Sequence, residues 1–272
     1  MSSPLFDTHA HLTDLKFAEH PGVVVDRAVA AGVGEVLTLG YDLPSSEAAV
    51  ELARAFPGLV YAAVGLHPHE ADTAWTGLLP RLRELGADPA VVAIGEIGLD
   101  AYRGWSSEAN QRRLLNAQLE LALEIGKPVC VHSRGAESAI VGAMTEFARA
   151  AAKRGIPVPG VMHCFGGTLE QALPFVEAGF LISIAGPVTY PKNDEMRRLA
   201  AGLPARSLVI ETDSPYLPPQ GMRGQRNEPA FMVETARAVA PARGMSLEEV
   251  AQLTTENARR AFCPVRLEAT GR

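Results

Sequence analysis

Residues 91–100 read VVAIGEIGLD, an aliphatic run typical of a buried parallel strand, with Glu96 placed where the aliphatic part ends. Similar short runs recur along the chain and alternate with longer stretches whose apolar residues have helical spacing. These runs lie at residues 5–9, 35–39, 59–65, 91–97, 128–132, 159–164, 180–184 and 207–212. Such alternation produces a parallel sheet, and about eight repeats in 272 residues predict an α/β fold, a single TIM-type (β/α)8 barrel. An open doubly wound sheet is the alternative.

The stretches between these runs carry the start and stop signals of helices. Several open at Pro or Ser and close at Gly, as in residues 21–32, 44–58, 107–126 and 136–155. In residues 245–262, Ser246 and Glu249 stand at capping-box spacing, so we expect an extra C-terminal helix that packs on the outside of the barrel. The length suits one barrel, and we predict a single domain over residues 1–272.

The bulk composition limits the class of protein. A net charge of −6 provides no basic field, which argues against a non-specific binder of duplex nucleic acid. Three cysteines without a CxxC pair suit a reducing compartment better than a disulfide framework or a structural zinc module. Residues 1–12 do not read as a signal peptide, and no apolar run approaches the roughly 18 residues that span a bilayer. We therefore expect a cytoplasmic protein that does not contact a membrane.

Reactive side chains occur where the predicted strands end, which in a barrel of this type is the active-site face. These positions hold His9, His11, Glu96, His132, His163 and Asp213. Four imidazoles and two carboxylates at one barrel mouth would be costly without neutralisation, and a pair of divalent cations would neutralise them. Nitrogen and oxygen donors fit Zn, Mn, Co, Ni or Mg, so the identity of the two metal ions is left open.

A specific series of motifs follows the order of the strands: FDTHAHL (6–12), GEIGLD (95–100), VHSR (131–134), HCFGG (163–167), ETDSPYL (211–217) and RGQRNEP (223–229). In these motifs, from about residue 5 to about residue 262, the chain resembles the TatD family of metal-dependent deoxyribonucleases among the amidohydrolase-like barrels. The resemblance implies that His9 and His11 hold one metal and that His132 and His163 hold the second. It also implies that Glu96 bridges both metals and that Asp213 binds the first metal beside the attacking water.

The implied reaction is hydrolysis of a phosphodiester by an activated water, without a covalent intermediate. Asp213 and Glu96 are the candidate catalytic residues, and Asp213 is expected to accept the proton of that water. The implied substrate is single-stranded DNA or a DNA end, attacked by a 3′–5′ exonuclease, and no obligate protein partner is implied. Ala101 replaces the aromatic residue that the family often has after GLD, which bears on a substrate contact rather than on the metals.

Groups that anchor the substrate phosphate are expected on the loops that follow the strands. The candidates are His67, Arg103, Arg134 and Arg226, with Arg223 on the same loop as the last. His20 and His69 are expected at the surface instead. Aromatic residues near the mouth could stack on bases, although packing is expected for Trp75; the others are Tyr102 and Trp105. Asp7 and Glu211 are expected to support ligands from behind.

Other reactions stay open because related barrels hydrolyse other esters and amides with the same metal pair. The enzymatic alternative is a small-molecule hydrolase or a D-aminoacyl-tRNA deacylase. A non-catalytic binding or scaffold protein is the alternative from a different class, and it predicts that at least one ligand is missing. All six ligand types are present, which favours an enzyme.

Overall fold

The computed structural model describes residues 3–17, 19–73 and 75–263. Within them, eight parallel strands alternate with helices and pair with one another in chain order. The strands are β1 (Leu5–Ala10), β2 (Val33–Leu39), β3 (Val60–Val64), β4 (Val91–Asp100), β5 (Val129–Arg134), β6 (Gly160–Met162), β7 (Leu181–Ile184) and β8 (Leu208–Ile210). Each predicted strand is present, with bounds within a few residues of the predicted run. The predicted domain limits at residues 1 and 272 lie outside the described residues, so the single domain stays a prediction.

The sheet closes between its first and last strands. Directly after β8, the backbone N–H of Asp213 donates to the carbonyl oxygen of His9 at 2.9 Å, and that of His11 donates to Ser214 at 2.7 Å. Ala10 and Ser214 also form a parallel bridge. These contacts continue the eighth strand alongside the first. The predicted TIM-type barrel is therefore confirmed, and the open doubly wound sheet is excluded.

The helices surround this barrel. They are α1 (Pro21–Ala30), α2 (Leu43–Ala55), α3 (Leu79–Gly86), α4 (Glu108–Ile125), α5 (Glu137–Lys153), α6 (Leu169–Glu177), α7 (Asp194–Gly202), α8 (Met232–Arg243) and α9 (Leu247–Phe262). Ser107 and Gly126 cap the two ends of α4, and Ser246 and Glu249 form the predicted capping box of α9. Within the part of the chain that the structure describes, no helix combines the length and apolar composition needed to cross a membrane.

Two apolar layers hold the barrel together. The outer layer lies between strands and helices, as Ile94 of β4 and Leu115 of α4 illustrate. The inner layer takes residues from all eight strands, which is the pattern of side chains that fill a barrel interior. It includes Phe6, Leu37, Leu39, Ala63, Ala93, Cys130, Val161, Leu181 and Val209. The barrel interior is thus a packed core, and the candidate ligands predicted from the sequence lie above it at the mouth.

The last helix covers the end of the barrel opposite to the reactive residues. Val250, in its first turn, joins the outer layer, as the sequence predicts. The final turn instead joins the inner layer, and the ring centroid of Phe262 lies 6.1 Å from that of Phe6. The side-chain amide of Asn257 donates to the carbonyl oxygen of Leu208, at the start of β8, at 2.8 Å. This helix therefore closes the amino-terminal end of the barrel as well as packing outside it.

Gly98 allows β4 and β5 to approach closely beside the reactive residues, where it pairs with His132. Its φ is +148°, and an added Cβ would lie 1.9 Å from the carbonyl oxygen of His132 and 2.8 Å from its carbonyl carbon. Both atoms belong to backbone, so no side-chain rotation can relieve the contact. The position requires glycine for its conformation and for its space.

We expect Gly98→Ala to lower the free energy of unfolding by about 3 kcal/mol or more, because β4 and β5 must separate to admit the methyl group. Gly142→Ala is the matched control, since Gly142 lies exposed within α5 and an added Cβ meets nothing within 4 Å. That control should gain about 0.5–1 kcal/mol from helix propensity. Urea unfolding with unchanged m-values measures both. Equal stability of the two variants would show that the close approach is dispensable.

Candidate metal centre

The first donor group forms where β1 and β8 meet at the barrel mouth. It consists of His9, His11, Asp213 and the Oε2 oxygen of Glu96. The Nε2 atoms of His9 and His11 lie 3.2 Å apart, and each lies 3.4 Å from Oε2 of Glu96. Oδ1 of Asp213 lies 3.9 Å and 3.7 Å from the same two nitrogens. Atoms bound at about 2.0–2.2 Å around one tetrahedral ion are spaced in this way.

The second donor group uses the other oxygen of the same glutamate. It consists of His132 on β5, His163 just after β6, and Oε1 of Glu96. Nδ1 of His132 and Nε2 of His163 each lie 3.0 Å from this oxygen and 3.1 Å from one another. The side chain of Glu96 is only 5% exposed and stands between the two groups. One carboxylate therefore faces both sets of imidazoles.

Hydrogen bonds behind the imidazoles decide which nitrogen faces the centre. Nδ1 of His11 lies 3.1 Å from the carbonyl oxygen of Leu39, which can only accept, so this nitrogen carries the proton. Nδ1 of His163 lies 3.3 Å from the carboxylate of Glu211 in the same way. In both rings Nε2 is left to face the centre. This arrangement, with a carboxylate or carbonyl behind a histidine, is the usual support of a metal ligand.

His132 faces the centre with its other nitrogen. Its Nε2 lies 3.1 Å from Oδ2 of Asp100, so Nε2 donates and Nδ1 points to Glu96. The facing nitrogens of His9 and His11 are therefore separated by about the distance between two ligand atoms of one metal ion. The same is true of the facing nitrogens of His132 and His163. Neutral imidazoles with their lone pairs directed at each other repel, so positive charge is required between them. The donor set and its spacing fit divalent cations.

The acidic groups of the centre attract protons as well as metal ions. Burial lowers the pKa of His163, but the charges of Glu96 and Glu211 outweigh that effect and hold it well above its usual value. Burial likewise lowers the pKa of His11, but a hydrogen bond to Glu96 and the charges of Glu96 and Asp213 raise it overall. Cations therefore compete with protons for these nitrogens, and metal affinity should rise with pH.

His67 lies beside Glu96 but has the tautomer of a donor. Its Nδ1 accepts a hydrogen bond from the backbone N–H of His69 at 3.2 Å, so the proton resides on Nε2, 3.4 Å from Oε1 of Glu96. Burial lowers the pKa of His67 to about 4, which keeps the ring neutral near pH 7. Distance alone groups His67 with Glu96 and His132 as possible ligands. The tautomer instead makes it a neutral hydrogen-bond donor to the cavity.

A cavity of about 460 Å³ opens above both donor groups. It brings together the predicted anchors His67, Arg103 and Arg134. Its lining comprises His11, Tyr41, His67, His69, Glu70, Glu96, Asp100, Arg103, Trp105, His132, Arg134, His163, Asp213 and Tyr216. Arg226 is not part of this lining: its guanidinium binds Glu19 at 2.7 Å and 2.8 Å and lies over the ring of Phe17.

Sequence reasoning missed several residues of the cavity, namely His69 and Asp100 together with Tyr41, Glu70 and Tyr216. His69, expected at the surface, lines the cavity with its side chain 20% exposed and its Nε2 3.2 Å from Oδ2 of Asp100. Asp100 ends β4 and binds both His69 and His132. The rule that polar residues at strand ends are candidates would have found Asp100, because it closes the VVAIGEIGLD run. His20, by contrast, caps α1 by accepting from Gly22.

The carboxylates expected behind the ligands divide into two roles. Glu211 contacts a ligand ring, as described for His163. Asp7 instead accepts hydrogen bonds from the backbone N–H of Thr212 at 2.9 Å and from its hydroxyl at 2.6 Å. Burial raises the pKa of Asp7 to about 7, against the effect of these hydrogen bonds. Asp7 therefore joins β1 to the segment after β8, next to Asp213.

Comparisons with known proteins identify the family of this chain. A family model described as TatD related DNase matches residues 6–263. The chain belongs to this family. It is 38% identical over 266 residues to the 3′-5′ ssDNA/RNA exonuclease TatD of Erwinia billingiae (strain Eb661), across 95% of this chain and 98% of that protein. It is 36% identical over 264 residues to the uncharacterized metal-dependent hydrolase YabD of Bacillus subtilis (strain 168), across 95% and 98% of the two chains.

A solved structure gives the same result. The TatD homolog YJJV of Escherichia coli K12 superimposes with a TM-score of 0.88 at 31% identity, covering 96% of this chain and 99% of that one. The resemblance identified from the sequence motifs is thereby confirmed. This TatD-family chain is a metal-dependent hydrolase with an amidohydrolase-like barrel.

Asp100 provides a test of the second donor group. One of its oxygens accepts from the backbone N–H groups of Tyr102 and Arg103, both at 2.8 Å, and the other accepts from His132. The Asp100→Asn side chain has only one accepting oxygen. It can therefore accept either from the two backbone N–H groups or from His132, but not from both. We expect affinity for a divalent ion to fall about 10- to 100-fold with the fold retained, as measured by calorimetric titration.

Asp72→Asn is the matched control for this substitution. Asp72 also accepts from a backbone N–H, that of Ser107 at 3.1 Å, and from the side chain of Asn110 at 2.8 Å. It should keep the parent affinity for the ion. Parent affinity in the Asp100→Asn protein would mean that the carboxylate does not position His132.

Proposed function

We propose that this chain is a 3′–5′ exonuclease that hydrolyses phosphodiester bonds at single-stranded DNA ends with two divalent metal ions. The observation that carries the proposal is the pair of donor groups that share Glu96 at the floor of a cavity flanked by Arg103 and Arg134. The relative from Erwinia billingiae is named as an exonuclease of single-stranded DNA and RNA, which supports the substrate class.

Six residues would hold the two ions: His9, His11 and Asp213 at the first, His132 and His163 at the second, with Glu96 shared. Divalent ions bound there would polarise the scissile phosphate and make an attacking water more acidic. Glu96 supplies the negative charge between the two positions. Burial raises its pKa, but the charge of His163 and hydrogen bonds from His11 and His132 outweigh that effect and hold it well below its usual value. Glu96 therefore stays ionised.

Asp213 is the proposed proton acceptor. Its carboxylate lies at the edge of the first donor group and lines the cavity. Burial raises its pKa to about 6, the charges of Glu211 and Glu96 add to the rise, and those of His163 and His11 oppose it. Because this carboxylate lies at the edge of the first donor group and faces the cavity, it is within reach of a water held there and can take the proton of that water. The water oxygen then joins phosphorus, the bond from phosphorus to the leaving oxygen breaks, and the leaving oxygen takes up a proton from Asp213 or from solvent, which returns Asp213 to its ionised form.

The substrate phosphate would be held by donors on the walls of the cavity. His67 carries a proton on Nε2 beside Glu96, and this N–H would be free to donate to a phosphate oxygen once metal ions bind the carboxylate of Glu96. The guanidinium of Arg134 lies 4.0 Å from the ring centroid of Tyr102, which orients it. A cavity of about 460 Å³ has the size of a small-molecule site and admits a strand end more readily than an intact duplex.

Asp213→Asn tests the reaction. We expect kcat on end-labelled single-stranded DNA to fall at least about a hundredfold, since the proton acceptor is lost. The parent protein should release products stepwise from the 3′ end. Asp194→Asn is the control, because Asp194 is exposed on α7 and pairs with Arg197. Cleavage at the parent rate by a metal-loaded Asp213→Asn protein would remove Asp213 from the mechanism.

The same assay decides the substrate class. Products released from the 5′ end would overturn the proposed polarity. If the parent protein left DNA intact but hydrolysed carboxylic esters or D-aminoacyl-tRNA, the centre would belong to one of those hydrolases instead. Elemental analysis of the same preparation tests the proposed count of two ions.

His67→Ala separates a phosphate donor from a metal ligand. We expect kcat/KM on single-stranded DNA to fall about 10- to 100-fold, the effect of losing a hydrogen bond to a charged group. Metal content should stay at the parent value, because the nitrogen that faces the centre carries a proton. His20→Ala is the control, since His20 caps α1. Loss of one metal ion in the His67→Ala protein would instead make His67 a ligand.

A further inference from the structure

Two large aromatic side chains stand exposed beside the cavity. Tyr102 is 67% exposed and Trp105 is 64% exposed, and both lie on the loop between β4 and α4. Single exposed apolar residues are common on proteins, but a pair of large rings at the edge of a reactive cavity is not accounted for by packing. We call Tyr102 and Trp105 the aromatic shelf.

A contact with the ring of His69 holds Trp105 in place. Its ring lies 4.4 Å from that of His69, centroid to centroid, with the planes inclined at 58°. His69 is held in turn by Asp100 through its ring and by the hydroxyl of Ser106, which donates to its carbonyl oxygen at 2.7 Å. Trp105 therefore has a fixed base and an exposed surface, as a preorganised binding platform requires.

Two guanidinium groups lie beside the aromatic shelf, where they could bind the phosphates of a nucleotide whose base lies on the rings. The guanidinium of Arg103 lies 5.3 Å from the ring centroid of Trp105 and 5.7 Å from that of Tyr102. Arg134 lies over Tyr102. Flat apolar faces accept bases and guanidinium groups accept phosphates, so the combination matches a strand of nucleic acid. An uncharged ester would use only the rings.

The shelf is connected directly to the metal centre. Asp100 accepts from His69 beneath Trp105 and from His132 of the second donor group. Trp105, Arg103 and Arg134 line the same cavity as Glu96. A strand whose phosphate lies over Glu96 thus has the shelf within reach of a neighbouring nucleotide.

We propose that Trp105 stacks on a base of the single-stranded substrate close to the scissile phosphate, while Arg103 and Arg134 hold phosphates beside it. Tyr102 supports Arg134 from its ring face. This proposal rests on the proposed exonuclease function and adds to it a base-binding position that does not read sequence, since every base has a face to stack. Trp105 is a residue that determines specificity for strands with bases.

A two-way substitution cycle tests the stacking. One side of the cycle is Trp105→Leu, which keeps apolar bulk but removes the flat ring. The other side is an oligonucleotide in which one of the last three nucleotides at the attacked end lacks its base. The quantity compared is kcat/KM. We expect about a tenfold or larger loss from each change alone at the stacked position, and little further loss when both are combined.

Two further variants complete the design. Trp105→Phe retains a stacking face and should recover much of the activity on the intact strand, with its usual penalty for base removal. Leu173→Ala removes an exposed apolar side chain from α6 and should behave as the parent protein. Metal content is measured for every variant, so that a damaged centre is recognised.

The outcomes distinguish the two proposals. If the parent protein cleaves strands but base removal costs the same in the parent and in Trp105→Leu at all three positions, stacking on Trp105 is refuted while the exonuclease stands. The same conclusion follows if Trp105→Phe is as impaired as Trp105→Leu. If the parent protein cleaves no strand at all, the exonuclease assignment fails and the shelf proposal fails with it.

Discussion

The buried carboxylate of Glu96 is the constraint on which the site depends. A single ionised glutamate with its side chain 5% exposed would be prohibitively costly in a protein interior unless cationic or hydrogen-bonding groups surrounded it. Four segments of the barrel supply such groups. A histidine at the end of β1, of β5 and of β6, and another on the loop after β3, each lie close to the carboxylate. The same histidines that stabilise Glu96 are the candidate metal ligands, so the groups that make this burial possible also form the candidate metal centre.

Closure of the barrel supplies half of that arrangement. Asp213 reaches the first donor group because the chain after β8 is hydrogen-bonded to β1 at His9 and at His11. Asp7 holds the same segment through Thr212. In the first donor group, His9 and His11 therefore come from the end of β1 and the residue after it, whereas Asp213 comes from the segment after β8. An open sheet of the same strands would place Asp213 far from the imidazoles, so the topology itself is a condition of the chemistry.

The positions of the strands and of the six candidate ligands could be predicted from the sequence because both obey local rules. Parallel strands buried on both faces appear as aliphatic runs, and the residue that ends such a run lies at the mouth. The partners of loop residues follow no such rule. Arg226 looked like Arg134 in the sequence, but Glu19, more than two hundred residues earlier, neutralises it. Likewise, the spacing of VGLHPH could not show that His69 turns inward to Asp100. Contacts between distant segments decide these roles.

Net charge and local charge act in opposite directions on a nucleic-acid substrate. The chain carries −6 overall, so a polyanion gains nothing from long-range attraction, and beyond about 8 Å at physiological salt such forces are screened in any case. Attraction then comes from cations close to the cavity, among them Arg103 and Arg134, whose guanidinium groups lie against aromatic rings. Only a phosphate that enters the cavity comes close enough to be attracted by these guanidinium groups. We infer from the size of the cavity that a flexible strand end brings its phosphates inside more readily than an intact duplex. The proposed selection for strand ends would then follow from the positions of the guanidinium groups at the cavity rather than from the net charge of the chain.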